Sequence, residues 1–241
     1  MAADGSRRYR PGVESTGRSE IRRRVDPFAE AVSDRGGDLD VMALSLSKVF
    51  QPDLDLIGAL AALDELAAGC PTPTRDGVMN HLFGSGMFTG DRADYHHWRN
   101  SLLDQVVDAR RGMPITLTVV GIEVARRVGV PLTGVGMPGH FLVGDAEDPT
   151  WFADPFHGRT GLTGVDCREM LVQMGMSRWS ERFLDPVPNR LIIARILNNL
   201  KSSSERRGDR LRLALVMQAR QVLPEFSAEG DDARQALAIF N

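Results

Sequence analysis

His140 and Asp154 are the residues in this chain whose types and placement suit chemistry. His140 follows a Pro138-Gly139 pair, Asp154 immediately precedes Pro155, and the apolar runs between them are separated by the polar segment DAEDP. A carboxylate that orients an imidazole is the base-and-orienter pair of nucleophilic catalysis. The third member would be a nucleophile at a helix N-terminus, where the dipole and a nearby imidazolium lower a thiol's pKa. A helix is expected to open at Pro114, a good first-turn residue because its missing N–H has no partner there. The side chains that follow are Ile115 and Thr116, and neither is a thiol. Cys70 precedes the site by two predicted helices and Cys167 follows it on a later one, so both read as buried structural cysteines. The Thr116 hydroxyl can attack only with a base in reach. Near the first turn its simpler role is to bond the backbone or His140.

The His-Asp pairing follows from strand register. Pro131 to Met137, His140 to Gly144 and Thr150 to Phe156 read as strands, with Pro138 and Gly139 at the favoured positions of a type II turn. If the DAEDP loop is symmetric about Glu147, Gly144 opposes Thr150 and His140 opposes Asp154, with Cβ atoms about 5 Å apart on one face. A slip of one residue would place them on opposite faces. His81, His96, His97 and His157 raise a metal reading in which His140, Asp154 and His157 converge on zinc. No HxH or HxxxH spacing supports it, so no metal is expected. Glycines 134, 136 and 139 lie between strands and open no helix, so they make no dinucleotide fingerprint, and no cofactor is expected.

The remaining elements are scaffold. Leu39, Met42, Leu46 and Val49 mark an amphipathic helix, Asp53 to Ala68 a second, and Asp76 to Phe83 a short third. A structured loop leads to a helix capped at Asn100 or Ser101, with Leu102, Leu103, Val106 and Val107 buried, Arg110 and Arg111 at its C-terminal end, and Gly112 as terminator. From Ile115 to Val128 the next helix is apolar on nearly every face, which makes it central. Val165 to Met174 and Ser177 to Leu184 read as shorter helices. After Pro186 and Pro188, Arg190 to Arg206 and Asp209 to Val222 form a hairpin joined by Gly208, and weak helix is expected from Ser227.

With 42% hydrophobic and 25% charged residues and a net charge of -3, the chain is ordinary for a globular protein and gives no general attraction to nucleic acid or acidic membranes. Arg7, Arg8, Arg10, Arg18, Arg22, Arg23 and Arg24 concentrate in residues 1–36, which read as a disordered arm and the one place where nucleic acid could be contacted. No apolar run is long enough to span a bilayer, Val-Asp-Pro after the arginines is no export signal, and two isolated cysteines fit a reducing compartment. The expected location is the cytoplasm.

The run LFGSGMFTGDRADYHHWRNSLLDQVVDARRGMPITL, then VGVPLTGVGMPGHFLVG, then WFADPFHG with LTGVDC after it, resembles the SirB-type branch of the transglutaminase-like superfamily. RILNNLKSSSERRGD resembles that group's tetratricopeptide-like tail. The resemblance implies an α+β fold with a papain-like core, a central buried helix against a small antiparallel sheet, N-terminal helices and a C-terminal helical hairpin. It divides the chain into residues 1–36, 37–185 and 186–241. It also implies a Cys, His, Asp order in which His140 and Asp154 match the last two and Ile115 or Thr116 stands at the first. The expected function is therefore a pseudoenzyme that binds a peptide or protein partner in the former cleft, with Asn100, Arg111, Gly112, Pro114, Gly139 and Phe156 as binding residues beside Thr116, His140 and Asp154. The alternative is a hydrolase or acyltransferase using Thr116 with the His140-Asp154 dyad.

Overall fold

The computed structural model describes residues 12–34 and 36–226. The expectations for residues 1–11 and for the helix from Ser227 lie outside the described residues. The first finding is a correction. Instead of a disordered arm, Gly12–Ser33 is a helix, α1. Ile21, Val25, Phe28 and Val32 step along one of its faces, and the last three are buried. This stripe packs α1 onto α2 (Leu39–Phe50) and onto a C-terminal helix described below.

Helix α3 (Leu56–Ala68) is capped by Asp55 and α4 (Arg75–Met79) by Thr74, and α4 runs on into a wider helical turn at Asn80–Gly84. Two short strands follow, β1 (Thr89–Gly90) and β2 (Arg111–Gly112), paired in parallel. Between them lie a 3-10 turn, Trp98–Ser101, and α5 (Leu103–Ala109). The cap of α5 differs from expectation: Leu102 holds that position without a side-chain bond, because the Asn100 amide turns back to Asp91, Asp94 and Tyr95. Its terminator is Arg110, whose φ of 53° is left-handed, and Gly112 instead belongs to β2.

Helix α6 (Pro114–Arg127) is buried along its whole length from Pro114 to Ala125, as its apolar surface requires. It packs on α3 and on the sheet. The sheet contains β3 (Leu132–Val135), β4 (Leu142–Asp145), β5 (Phe152–Asp154), β6 (Arg159–Leu162) and β7 (Pro186–Val187), ordered β6-β5-β4-β3-β7 and antiparallel throughout. The turn before β4 is as expected: Gly139 has φ 71° and His140 N–H donates to the Met137 carbonyl at 3.2 Å. The hairpin register is not. Val143 pairs with Ala153 and Gly144 with Phe152, a two-residue shift from the symmetric loop. An even shift keeps every side chain on its face.

Helix α7 (Gly164–Gln173) starts at a Thr163–Asp166 capping box. The hairpin of α8 (Asn189–Arg207) and α9 (Arg210–Gln221) turns at Gly208, and α9 is the second support of α1. Ile192, Ile193, Ile196, Leu197 and Leu200 of α8 share one core with α6, so no break in packing falls at the expected boundary between 185 and 186.

One polar cluster lies inside this core. Asp40 on α2 and Glu123 on α6 are buried carboxylates bridged by Arg126 and Arg127, with Arg127 Nη2 at 2.6 Å from Asp40 and Nη1 at 3.0 Å from Glu123. Burial, then the charge of Asp40, pushes Glu123 up to about 7 from 4.5, despite Arg126. An acid whose native pKa is raised stabilises the fold most where it is protonated. Its contribution is therefore full below pH 4.5, falls between 4.5 and 7, and is flat above. Glu123→Gln should remove that fall, gaining up to about 3 kcal/mol on the wild type across the window. Urea midpoints measured at several pH values check this, and parallel curves for the two proteins would refute it.

Candidate functional site

The Pro138-Gly139 turn delivers His140 to a position that is 8% exposed, and the end of β5 places Asp154 beneath it with no exposure. His140 Nε2 lies 3.0 Å from Asp154 Oδ1, yet off the line of a straight N–H···O bond, which leaves this buried nitrogen without an aligned partner. Oδ1 accepts instead from the backbone N–H groups of Phe156 at 3.1 Å and His157 at 3.3 Å, an Asx turn over the DPFH segment. Oδ2 is 2.6 Å from His157 Nδ1. Burial alone would raise the Asp154 pKa, but the two imidazoles beside it, His140 and His157, outweigh it and hold the carboxyl well below the usual range.

Phe156 covers the pair. Its ring stands edge-on to His140, with centroids 6.3 Å apart, and to Tyr95 at 5.8 Å. A Cβ on Gly90 would fall 2.5 Å from the Phe156 ring, so β1 can pass behind the site only as glycine.

Beside His140 is a cavity of about 210 Å³, with Pro114 and Ile115 of the α6 N-terminus and Gly139 on one side. The facing wall is α8, which contributes Arg195, Asn198 and Asn199, and Tyr95 and Met113 close it. The Arg195 guanidinium lies 4.8 Å over the Phe141 ring and donates from Nη2 to the carbonyls of Met137 at 3.3 Å and His140 at 3.4 Å. Burial lowers its pKa to about 10, so it remains a cation at neutral pH. The arrangement offers a charged donor, two amides and an imidazole over an apolar floor, which can bind a ligand with both polar and apolar parts.

A model of the transglutaminase-like superfamily matches residues 36–198. The chain belongs to that superfamily. Its relatives place it in the SirB-type branch. It is 41% identical to a UPF0162 protein of Xylella fastidiosa strain 9a5c over 131 residues, 52% of this chain and 47% of the relative. It is 30% identical to a UPF0162 protein of Vibrio cholerae serotype O1 over 196 residues, 74% and 72% of the two chains. It is 28% identical to Protein SirB1 of Salmonella typhimurium over 153 residues, 61% and 55%. The chain spans about half the length of the Xylella relatives it matches. No solved structure matches it.

The transglutaminase-like match takes in the whole His140–Asp154 arrangement and most of the cleft, ending at Asn198 within α8. Of the two residues at the expected nucleophile position, Ile115 lines the cavity beside His140. Thr116 does not. Its buried hydroxyl donates to the main-chain carbonyls of Asn100, at 2.6 Å, and Met113, at 3.1 Å. This is the backbone role expected for Thr116, and it corrects the alternative of a Thr116 nucleophile, because a hydroxyl bound in this way is not presented to His140. Among the expected binding residues, Pro114 and Gly139 line the cavity and Phe156 walls the site, whereas Asn100 and Gly112 brace it from behind and Arg111 is exposed on β2.

Neither cysteine lines the cavity. Cys70 is half-buried with Sγ donating to the Thr72 carbonyl, and Cys167 is fully buried, its thiol pushed up to about 12 chiefly by desolvation. The sequence reading missed Tyr95, Arg195, Asn198 and Asn199. A signal was present in RILNNL, where polar residues at 195, 198 and 199 interrupt one face of an otherwise apolar helix at steps of three and four. No helix among the described residues is long and apolar enough to cross a membrane.

Proposed function

We propose that the protein is a cytoplasmic, non-catalytic transglutaminase-like protein that binds a peptide or protein segment in its former active-site cleft. The observation that carries this reading is Ile115, a side chain with no nucleophilic atom at the cavity position beside His140. The intact His140–Asp154 contact and the Arg195, Asn198 and Asn199 wall support binding as the retained role, since their donors suit the carbonyls and carboxylates of a peptide.

The test has two arms. In the first, amidase and transamidase substrates are offered to wild type and to Ile115→Cys. Wild type should show no turnover, and the new thiol should alkylate faster than Cys70 at neutral pH, because a helix N-terminus and a neighbouring imidazole favour thiolate. Turnover by wild type that is lost in His140→Ala would overturn the non-catalytic half. In the second, peptides selected on wild type from a random display library are measured against Asn199→Trp, which fills the cavity. Affinity should fall at least about tenfold, roughly 1.4 kcal/mol. If no peptide is selected, or if both proteins bind equally, the cleft is not a peptide site.

A further inference from the structure

The DPFH turn does more than orient Asp154, since it brings a second imidazole to the same carboxylate. We propose that His140, Asp154 and His157 form a binding site for a divalent first-row transition metal, of which zinc suits the donor set best. Their ligand atoms all lie within 4.8 Å of one another. Two imidazoles and one carboxylate are a common set of three protein ligands for zinc, with a fourth position left to water or a ligand. The expectation of no metal rested on the lack of a short histidine spacing. The tertiary fold supplies the convergence instead, by pairing a turn before β4 with a turn after β5.

A second observation is independent of this clustering. His140 Nε2 is buried, belongs to a side chain more than nine-tenths buried, and points at the trio without an aligned hydrogen-bond partner. A buried nitrogen left in this way is costly unless something accepts its lone pair or proton, and a cation among the three would do so. The outer shell is also in place, because the backbone N–H groups of Phe156 and His157 already fix Asp154 Oδ1. Access comes through His157, whose side chain is 41% exposed. A tetrahedral zinc would hold its donor atoms about 3.3–3.5 Å apart. The 2.6 Å His157–Asp154 contact would therefore widen and the longest separation would narrow, each through side-chain torsions.

The test titrates Co²⁺ into the full, chelator-treated chain, with Zn²⁺ as competitor. One Co²⁺ per chain should bind with the visible absorption of a four-coordinate nitrogen and oxygen site, and Zn²⁺ should displace it. His157→Ala should weaken binding at least about 100-fold, beyond the 10- to 100-fold cost of losing an outer-shell partner. A His96→Ala, His97→Ala double variant should bind like wild type. Circular dichroism of the metal-free variants checks their fold, and His157→Gln replaces His157→Ala if the latter is unfolded. Absence of one-to-one binding, wild-type affinity in the His157 variant, or loss of binding in the His96 and His97 variant would overturn the site and leave a carboxylate between two imidazoles.

Discussion

Asp154→Ala should lower the unfolding free energy of the metal-free protein by about 3 kcal/mol, because three hydrogen-bonding groups lose one acceptor together. Two are the backbone N–H groups of Phe156 and His157, and the third is His157 Nδ1. The two backbone groups cannot turn to water without undoing the DPFH turn, since Asp154 lies at the buried end of β5. Asp154→Asn keeps an acceptor for the turn and should cost less. Urea unfolding of both variants in the presence of chelator makes the comparison. A loss below about 1 kcal/mol for alanine would mean that the histidines and the turn are held by other contacts.

Phe28→Ala should destabilise the protein by about 3–5 kcal/mol, the range for emptying a large aromatic site in a close-packed core. Phe28 is fully buried on α1, among residues that pack on α2 and α9. The outcome discriminates sharply, because substitution in a solvated arm would leave the urea midpoint unchanged. An unchanged midpoint would detach α1 from the fold.

The contrast at α1 shows where sequence reading succeeds and where it fails. Seven arginines near the N-terminus and Pro27 inside the segment both argue against a helix, by composition and by the missing N–H of proline. What prevails is the stripe of Ile21, Val25, Phe28 and Val32, whose steps of four, three and four residues were present to be read. Helix α6 was legible because its burial is written on every face. The His140–Asp154 contact was also legible, even though the loop was misjudged, since a two-residue error in an antiparallel pair leaves sidedness intact. The strands β6 and β7 were hidden among glycines and prolines that usually end strands, and β7 is only two residues long. The facing wall of the cleft was hidden for a different reason. Arg195, Asn198 and Asn199 lie more than fifty positions after His140, and only tertiary packing makes them neighbours.

Arg195 gives that wall a mechanical meaning. Its guanidinium rests on Phe141 and grips the carbonyls of Met137 and His140, the two ends of the turn that carries the histidine. Helix α8 is thus bonded to the turn that presents the imidazole, and α9 and α1 pack behind it. The turn that presents His140 is therefore anchored from two directions, by the sheet on one side and by the C-terminal hairpin on the other.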